Sequence, residues 1–208
     1  STFTTAFFPN FSEMNEFFNI TGAGQEYNNP TQELISLFVP GDTRKEVTVG
    51  VPGGFYDADS VFHALPTSTN QTYTKKYFDS SPVRADSKAN WKVIRYADVL
   101  LMYAEALNEN GKPQQAIPFL NQVRTRAGLE GYPNTMSQTE TRDAIVLERR
   151  LELSFEGVRW FDLVRTGKAY EVMKDKGMAP YMTVFPIPLS QVQIINDPTI
   201  FPQNPGYD

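Results

Sequence analysis

Paired carboxylates are the first residues in this 208-residue chain whose type and spacing could do chemistry. Asp98 and Glu105 stand seven positions apart. On one helix face that is a rise of ~10.5 Å. Glycoside-cleaving carboxylates sit ~5–5.5 Å apart in retaining enzymes and ~6.5–9.5 Å apart in inverting ones, so this pair is too wide along the axis. Glu148 and Glu152 are closer, ~6 Å along their helix, but Arg149 and Arg150 lie beside them. Neighbouring positive charge lowers a carboxyl pKa, the wrong direction for a general acid. The better reading is a lattice of arginines and carboxylates that ties helices together, with Arg95, Glu156, Arg159, Asp162 and Arg165 as further members. No glycine-rich phosphate loop, nucleophile elbow or metal-ligand cluster occurs. Cysteine is absent and His63 is the single histidine, which speaks against disulfides, thiolate metal sites and a histidine-based zinc site. No cofactor, metal or enzymatic activity is expected.

Flat apolar faces combined with amide and carboxylate groups could do a different job, the binding of sugar rings. Residues 1–30 hold seven aromatics (Phe3, Phe7, Phe8, Phe11, Phe17, Phe18 and Tyr27) amid Asn, Thr and Gly. That density is nearly twice the 13% of the whole chain and makes the first segment the place to look for a ligand surface. The residues that offer this mixture, and so the candidate ligand contacts, are Phe7, Phe8, Phe17, Tyr27, Asn28, Phe55, Tyr56, Asp57 and Tyr73. The competing reading is that such aromatics anchor small local cores in a loop-rich segment. Trp91 and Trp160 would be better platforms for a sugar, but both belong to helical motifs and are expected to pack.

Those loops need a rigid back, and Tyr96–Leu129 supplies it. Val93, Tyr96/Ala97, Leu100, Tyr103/Ala104 and Leu107 repeat at the 3-then-4 spacing of one helix face. Asn110-Gly111 ends that helix, and Ala116, Leu120, Val123 and Ala127 carry the stripe of a second, antiparallel one. Small Ala104 and Ala116 flank the turn where the two must approach. The pattern is that of a tetratricopeptide-like hairpin. Pro118 predicts a late start near Ile117 or a kink. Ser137 and Glu140 form a capping box for a third helix that carries Leu147, Leu151 and Phe155 and closes at Gly157, and a shorter helix ends at Gly167.

Elsewhere the signals are local. Asn29-Pro30-Thr31-Gln32 reads as a helix start with Asn29 as cap, Val47/Val49/Val51 as a strand, and Pro52-Gly53-Gly54 as a turn. The proline-rich end, residues 178–208, reads as an extended strap over the helices with a helical turn at 190–194. The whole is predicted to be one mainly α domain, 1–208, in three parts: loop-rich 1–90, helical 91–167 and strap 168–208.

With 40% hydrophobic residues the chain can build a real core. Its net charge of −5, with no basic run, lacks the electrostatic footprint of a nucleic-acid groove. No apolar run reaches the ~20 residues that span a bilayer, and no signal peptide is present, so a start downstream of any targeting segment is expected.

Several stretches in this order resemble the SusD/RagB family: NPTQELI (29–35), the Asp42/Arg44 pair, Lys76-Tyr77-Phe78, RYADVLLMYAEALNENG (95–111), LNQVRTRAGL (120–129), LERRLELSFEGVRWFDLVRTG (147–167), FPIP (185–188) and QNPGY (203–207). Residues 1–28 match nothing specific. The resemblance implies a mainly α fold of tetratricopeptide-like helix pairs with long irregular loops. It also implies a non-enzymatic oligosaccharide-binding, surface-exposed lipoprotein of the outer membrane that acts with a SusC-like TonB-dependent transporter. Complete members are more than twice as long and begin at a lipid-modified cysteine, so the chain looks like the C-terminal part, with any membrane anchor outside it. The alternative is a helical-repeat scaffold that binds only protein.

Overall fold

A computed structural model describes residues 27–50, 54–56, 61–64, 72–77 and 90–207. The chain divides after Gly157 into two compact units.

In the first unit the sequence-predicted hairpin is present. Helix α3 (Tyr96–Glu109) and helix α4 (Pro113–Arg126) pack against each other. Helix α5 (Gln138–Glu152) lies across both. Leu100, Leu101 and Ala104 of α3, Ala116, Leu120 and Val123 of α4, and Ala144 and Ile145 of α5 make one buried cluster. Ala104 and Ala116 have no exposed surface, as expected where two helix backbones come together. Each buried Leu, Ile or Val contributes ~1.5–3 kcal/mol. At the turn, the Gly111 N–H donates to the Asn108 carbonyl and the Lys112 N–H to that of Leu107, both at 3.0 Å. This closure needs a left-handed residue, and Gly111 provides it at φ +72°. Asn108 and Gln138 then exchange side-chain-to-carbonyl bonds of 3.0 and 2.7 Å, which tie the hairpin's end to the start of α5.

The late start that Pro118 suggested does not occur. Helix α4 begins at Pro113, a first-turn position where the missing N–H costs nothing, and continues through Pro118. Both Pro118 and Gln114, whose carbonyl loses its donor, face solvent; water can satisfy that carbonyl. The capping box at Ser137 forms as predicted: the Glu140 N–H donates to Ser137 Oγ at 3.3 Å, and the Ser137 N–H to Glu140 Oε2 at 2.7 Å. Helix α5, however, ends at Glu152 rather than Gly157. Phe155 takes a left-handed turn at φ +65°, and Ser154 Oγ donates back to the Arg150 carbonyl. The turn carries Glu156 to Arg95.

The loop-rich segment contains short elements: α1 (Gln32–Leu37), α2 (Arg44–Thr48), β1 (Val49–Gly50), β2 (Gly54–Tyr56), β3 (Phe62–Ala64) and β4 (Tyr73–Thr74). Thr31, not Asn29, caps α1, its Oγ1 accepting from the Leu34 N–H at 3.2 Å. Val47 belongs to α2 rather than to a strand; Val49 pairs with Thr74, and β2 pairs antiparallel with β3. Phe38 and Val49 pack with Leu151 in a second small core.

The second unit, Val158–Asp208, holds α6 (Arg159–Arg165), α7 (Ala169–Met173), two 3-10 turns and α8 (Leu189–Ile195). As predicted, α6 closes at Gly167, at φ +69°. The FPIP and QNPGY stretches clasp each other. The Ile187 N–H donates to Gln203 Oε1 at 2.7 Å, Gln203 Nε2 to the Ile187 carbonyl at 2.8 Å, Asn204 Nδ2 to the Phe185 carbonyl at 2.7 Å and Tyr207 Oη to the Val184 carbonyl at 2.8 Å.

Candidate ligand-binding site

Three carboxylates at four-residue steps, Glu148, Glu152 and Glu156, all lie buried at the end of α5 and in the turn after it. Burying a carboxylate costs several kcal/mol (order of magnitude) unless charge and hydrogen bonds offset it, so each must collect cations. Glu148 Oε2 accepts from Arg44 Nη1 at 2.6 Å, and its Oε1 accepts from Arg124 Nη1 at 2.7 Å and Tyr132 Oη at 3.2 Å. Glu152 Oε1 accepts from Arg95 Nη1 at 2.8 Å and Arg126 Nη2 at 2.6 Å. Glu156 takes both prongs of Arg95, at 2.8 and 2.7 Å, and pairs with Lys76. Arg44 also forks onto Asp42 at 2.8 and 2.7 Å.

The lattice foreseen in the sequence is therefore present, with Arg95 and Glu156 in it as expected and other members changed. Arg149 and Arg150, adjacent to Glu148 in sequence, turn away to Asp98 and Glu33. Their places are taken by Arg44, Arg124 and Arg126, which arrive from other elements. Arg165 pairs with Asp162 inside the second unit. Asp98, once weighed with Glu105 as a catalytic pair, is instead held by Arg149 at 2.8 Å.

The electrostatics follow. Burial works against the Arg44 charge, but hydrogen bonding to Asp42 and the charge of Glu148 more than offset it and raise its pKa. The hydrogen bond to Glu156 does the same for Arg95. Burial would raise the Glu156 carboxyl, yet Arg95 and Lys76 hold it below the ordinary carboxylate value. Burial leaves the Lys76 ammonium below its ordinary range, only partly compensated by Glu156. Burial, then the charge of Glu148, pushes the Tyr132 phenol up to about 12.

On one side the lattice opens into a pocket of about 240 Å³, room for roughly eight waters at ~30 Å³ each. Arg44, Lys76, Lys92, Arg95 and Arg126 line it, with Glu152, Val47 and Thr48. Glu152 Oε2 is buried and accepts no hydrogen bond from the described residues. Groups of three or more His, Cys, Asp or Glu able to hold a metal do not occur among the described residues.

The residues singled out from the sequence as sugar contacts are scattered. Tyr27 and Asn28 are exposed at the start of the described chain. Phe55 and Tyr56 sit in β2, opposite His63 and Phe62. Tyr73 is only 2% exposed, its ring packed so closely over Gly50 that a Cβ there would meet ring carbons at 2.2 Å. Burial pushes its phenol up to about 12, and its part in this structure is packing. Phe7, Phe8, Phe17 and Asp57 lie outside the described residues. Trp91 stacks on Tyr77 with centroids 5.1 Å apart, the packing role expected of it, and Trp160 is half-buried. Sequence reasoning missed Lys92 and Arg126 as pocket residues; their signal was only that each lies outside an apolar stripe.

Comparison with known proteins agrees with this architecture. The family model described as "SusD family" matches residues 10–184. A SusD-like protein of Formosa agariphila is 36% identical over 156 residues, 71% of this chain and 28% of its own. Among solved structures, a SusD superfamily protein from Parabacteroides distasonis superposes with a TM-score of 0.74 at 28% identity, over 99% of this chain and 47% of that one. A laminarin-binding SusD-like protein does so with a TM-score of 0.70 at 32% identity, over 100% of this chain and 44% of that one. The chain thus spans about three tenths of the length of the curated relatives it matches and under half of the solved ones. In its motifs, its helical hairpin and its match from residue 10 to 184, this chain belongs to the SusD family.

Proposed function

We propose that the chain is part of a non-enzymatic glycan-binding protein that serves nutrient uptake at the outer membrane. In this reading it is surface-exposed, lipid-anchored through a segment outside this chain, and partnered by a SusC-like TonB-dependent transporter. The observation that carries the glycan reading is the superposition of the entire chain on a relative whose name states that it binds laminarin. A non-catalytic role is supported by the carboxylates: Glu148 and Glu152 are each held by arginines from other elements and Asp98 by Arg149, which commits them to ion pairs that tie elements together. Tyr27 and Asn28, with Phe7, Phe8, Phe17, Phe55, Tyr56 and Asp57, remain the proposed aromatic and amide contacts.

Calorimetric titration of an oligosaccharide panel into the protein tests this reading. Saturable heats without release of reducing sugar are expected, and silence across the panel refutes it. Sugar release that disappears in Glu152→Gln would replace it with a hydrolase. A second reading, a scaffold that binds protein only, is favoured by the exposed apolar face of α3, with Tyr96, Val99, Met102 and Tyr103. Co-purification with a transporter barrel but without any sugar affinity would select it.

A further inference from the structure

The pocket beside the lattice carries more positive charge than the fold requires. Six basic side chains (Arg44, Lys76, Lys92, Arg95, Arg124 and Arg126) face four carboxylates, Asp42, Glu148, Glu152 and Glu156. Among the described residues that is a local surplus of two positive charges, in a chain whose net charge is −5. The nearby Lys75 and Glu46 attract each other and leave the sum unchanged.

The surplus sits where a ligand could reach it. Lys92 is exposed and lines the pocket; among the described residues no carboxylate pairs with it. Arg126 has a side chain 61% exposed and commits a single N–H to Glu152. The other guanidiniums are occupied, Arg44 by Asp42 and Glu148, Arg95 by Glu152 and Glu156. Lys76, deeper in, has its charge disfavoured by burial, and an added anion would relieve that.

A second feature points to more than a bare anion. Glu152 Oε2 belongs to a side chain 3% exposed, lies 3.8 Å from Arg44 and accepts no hydrogen bond from the described residues. A buried carboxylate oxygen in that condition calls for a donor. The exposed Val47 side chain adds an apolar edge to the same pocket. An anion, a hydroxyl donor and a C–H face on one small ligand describe a sugar acid.

We propose that this pocket binds a uronate unit of an acidic oligosaccharide, its carboxylate taken by Lys92 and Arg126 and a ring hydroxyl donating to Glu152 Oε2. The assignment rests on the glycan-binding reading above and narrows it to carboxylated sugars. Arginine suits this task because its planar fork matches a carboxylate, and Lys92 adds a point charge at the mouth.

The test is calorimetry on the 208-residue chain with oligomers of galacturonate, glucuronate, mannuronate and guluronate, each beside a neutral oligosaccharide of equal length. Acetate is the control anion. Lys92→Glu is the main variant, because an exposed lysine with no carboxylate partner among the described residues can be reversed without disturbing the core, and Arg126→Gln is the second. The expected result is that at least one oligouronate binds more tightly than its neutral counterpart, and more tightly still at low salt. Lys92→Glu should weaken it ten-fold or more while leaving neutral sugars unchanged, and acetate should not compete at equal concentration. Equal affinity for acidic and neutral oligomers, an unchanged affinity in Lys92→Glu, or equal competition by acetate overturns the uronate site while the glycan reading stands. Failure of every sugar, neutral and acidic, overturns both.

Discussion

Glu148→Gln keeps the size of a side chain with no exposed surface and removes its charge. In the native protein its two oxygens accept from Arg44, Arg124 and Tyr132. The variant leaves Arg44, itself 6% exposed, one carboxylate short. Removing one partner of a buried ion pair costs ~3–5 kcal/mol. Both arginines keep something: Arg44 retains its fork on Asp42, and Arg124 retains the Glu130 carbonyl at 2.6 Å and the face of Tyr132 at 4.1 Å. The low end, about 3 kcal/mol, is therefore expected. At ~2–4 °C per kcal/mol for a chain of this size, the midpoint should fall by roughly 6–12 °C. Circular dichroism at 222 nm during heating and urea titration measures both quantities. Glu109→Gln is the internal control, because the Glu109–Arg142 pair is exposed on both sides and such pairs add little. Pairing Glu148→Met with Arg124→Met should recover part of the loss, since it removes a stranded cation as well as its partner. A Glu148→Gln midpoint that matches that of Glu109→Gln would refute the view that the lattice holds the first unit together.

Acid should unfold the protein through Glu156. Its folded pKa lies below the ordinary 4.5, so its stabilisation is complete above that value and is lost as pH falls through the folded one; the urea midpoint should hold steady above about pH 5 and drop below it, and Glu156→Gln should flatten that drop. Gly206→Ala forces a residue with a Cβ into φ +88° and sets that Cβ 2.4 Å from the Tyr181 ring. It should cost about 1–3 kcal/mol and speed hydrogen exchange at the Ile187 N–H, which Gln203 holds. Ser137→Ala removes the cap of α5 and should lower stability by ~1 kcal/mol, with Ser137→Asp near wild type; urea midpoints decide.

The helical part was legible because it obeys short-range rules. The Ser137–Glu140 box and the glycines at 111 and 167 each announce themselves within a few residues and appear where the pattern puts them; of the first apolar stripe Ala97, Leu100, Ala104 and Leu107 join the core, whereas Val93, Tyr96 and Tyr103 are exposed. The site was less legible, because its pairs are long-range. Glu148 meets Arg44 across 104 positions and Glu156 meets Arg95 across 61. Nothing local distinguishes Arg44 or Arg126, which enter the lattice, from Arg149 and Arg150, which lie beside Glu148 yet leave for Asp98 and Glu33. Helix geometry decides that choice: neighbours i+1 and i+2 do not share a face. The same blindness applies to Tyr73, whose type suggested a platform and whose environment, against Gly50, makes it core.

Folding and binding can be separated within one cluster because its members differ in depth. Glu148, Glu152 and Glu156 are buried and must be neutralised, so segments distant in sequence are recruited to α5. That demand accounts for Arg44, Arg95, Arg124 and Lys76. It does not account for Lys92, which is exposed and pairs with none of these carboxylates, and accounts only partly for Arg126, whose single bond duplicates one from Arg95 to the same oxygen. Residues that stability does not need are the ones free to meet a ligand. Glu148→Gln should therefore lower the urea midpoint in any buffer, whereas Lys92→Glu should leave that midpoint where it is and change only what the pocket holds.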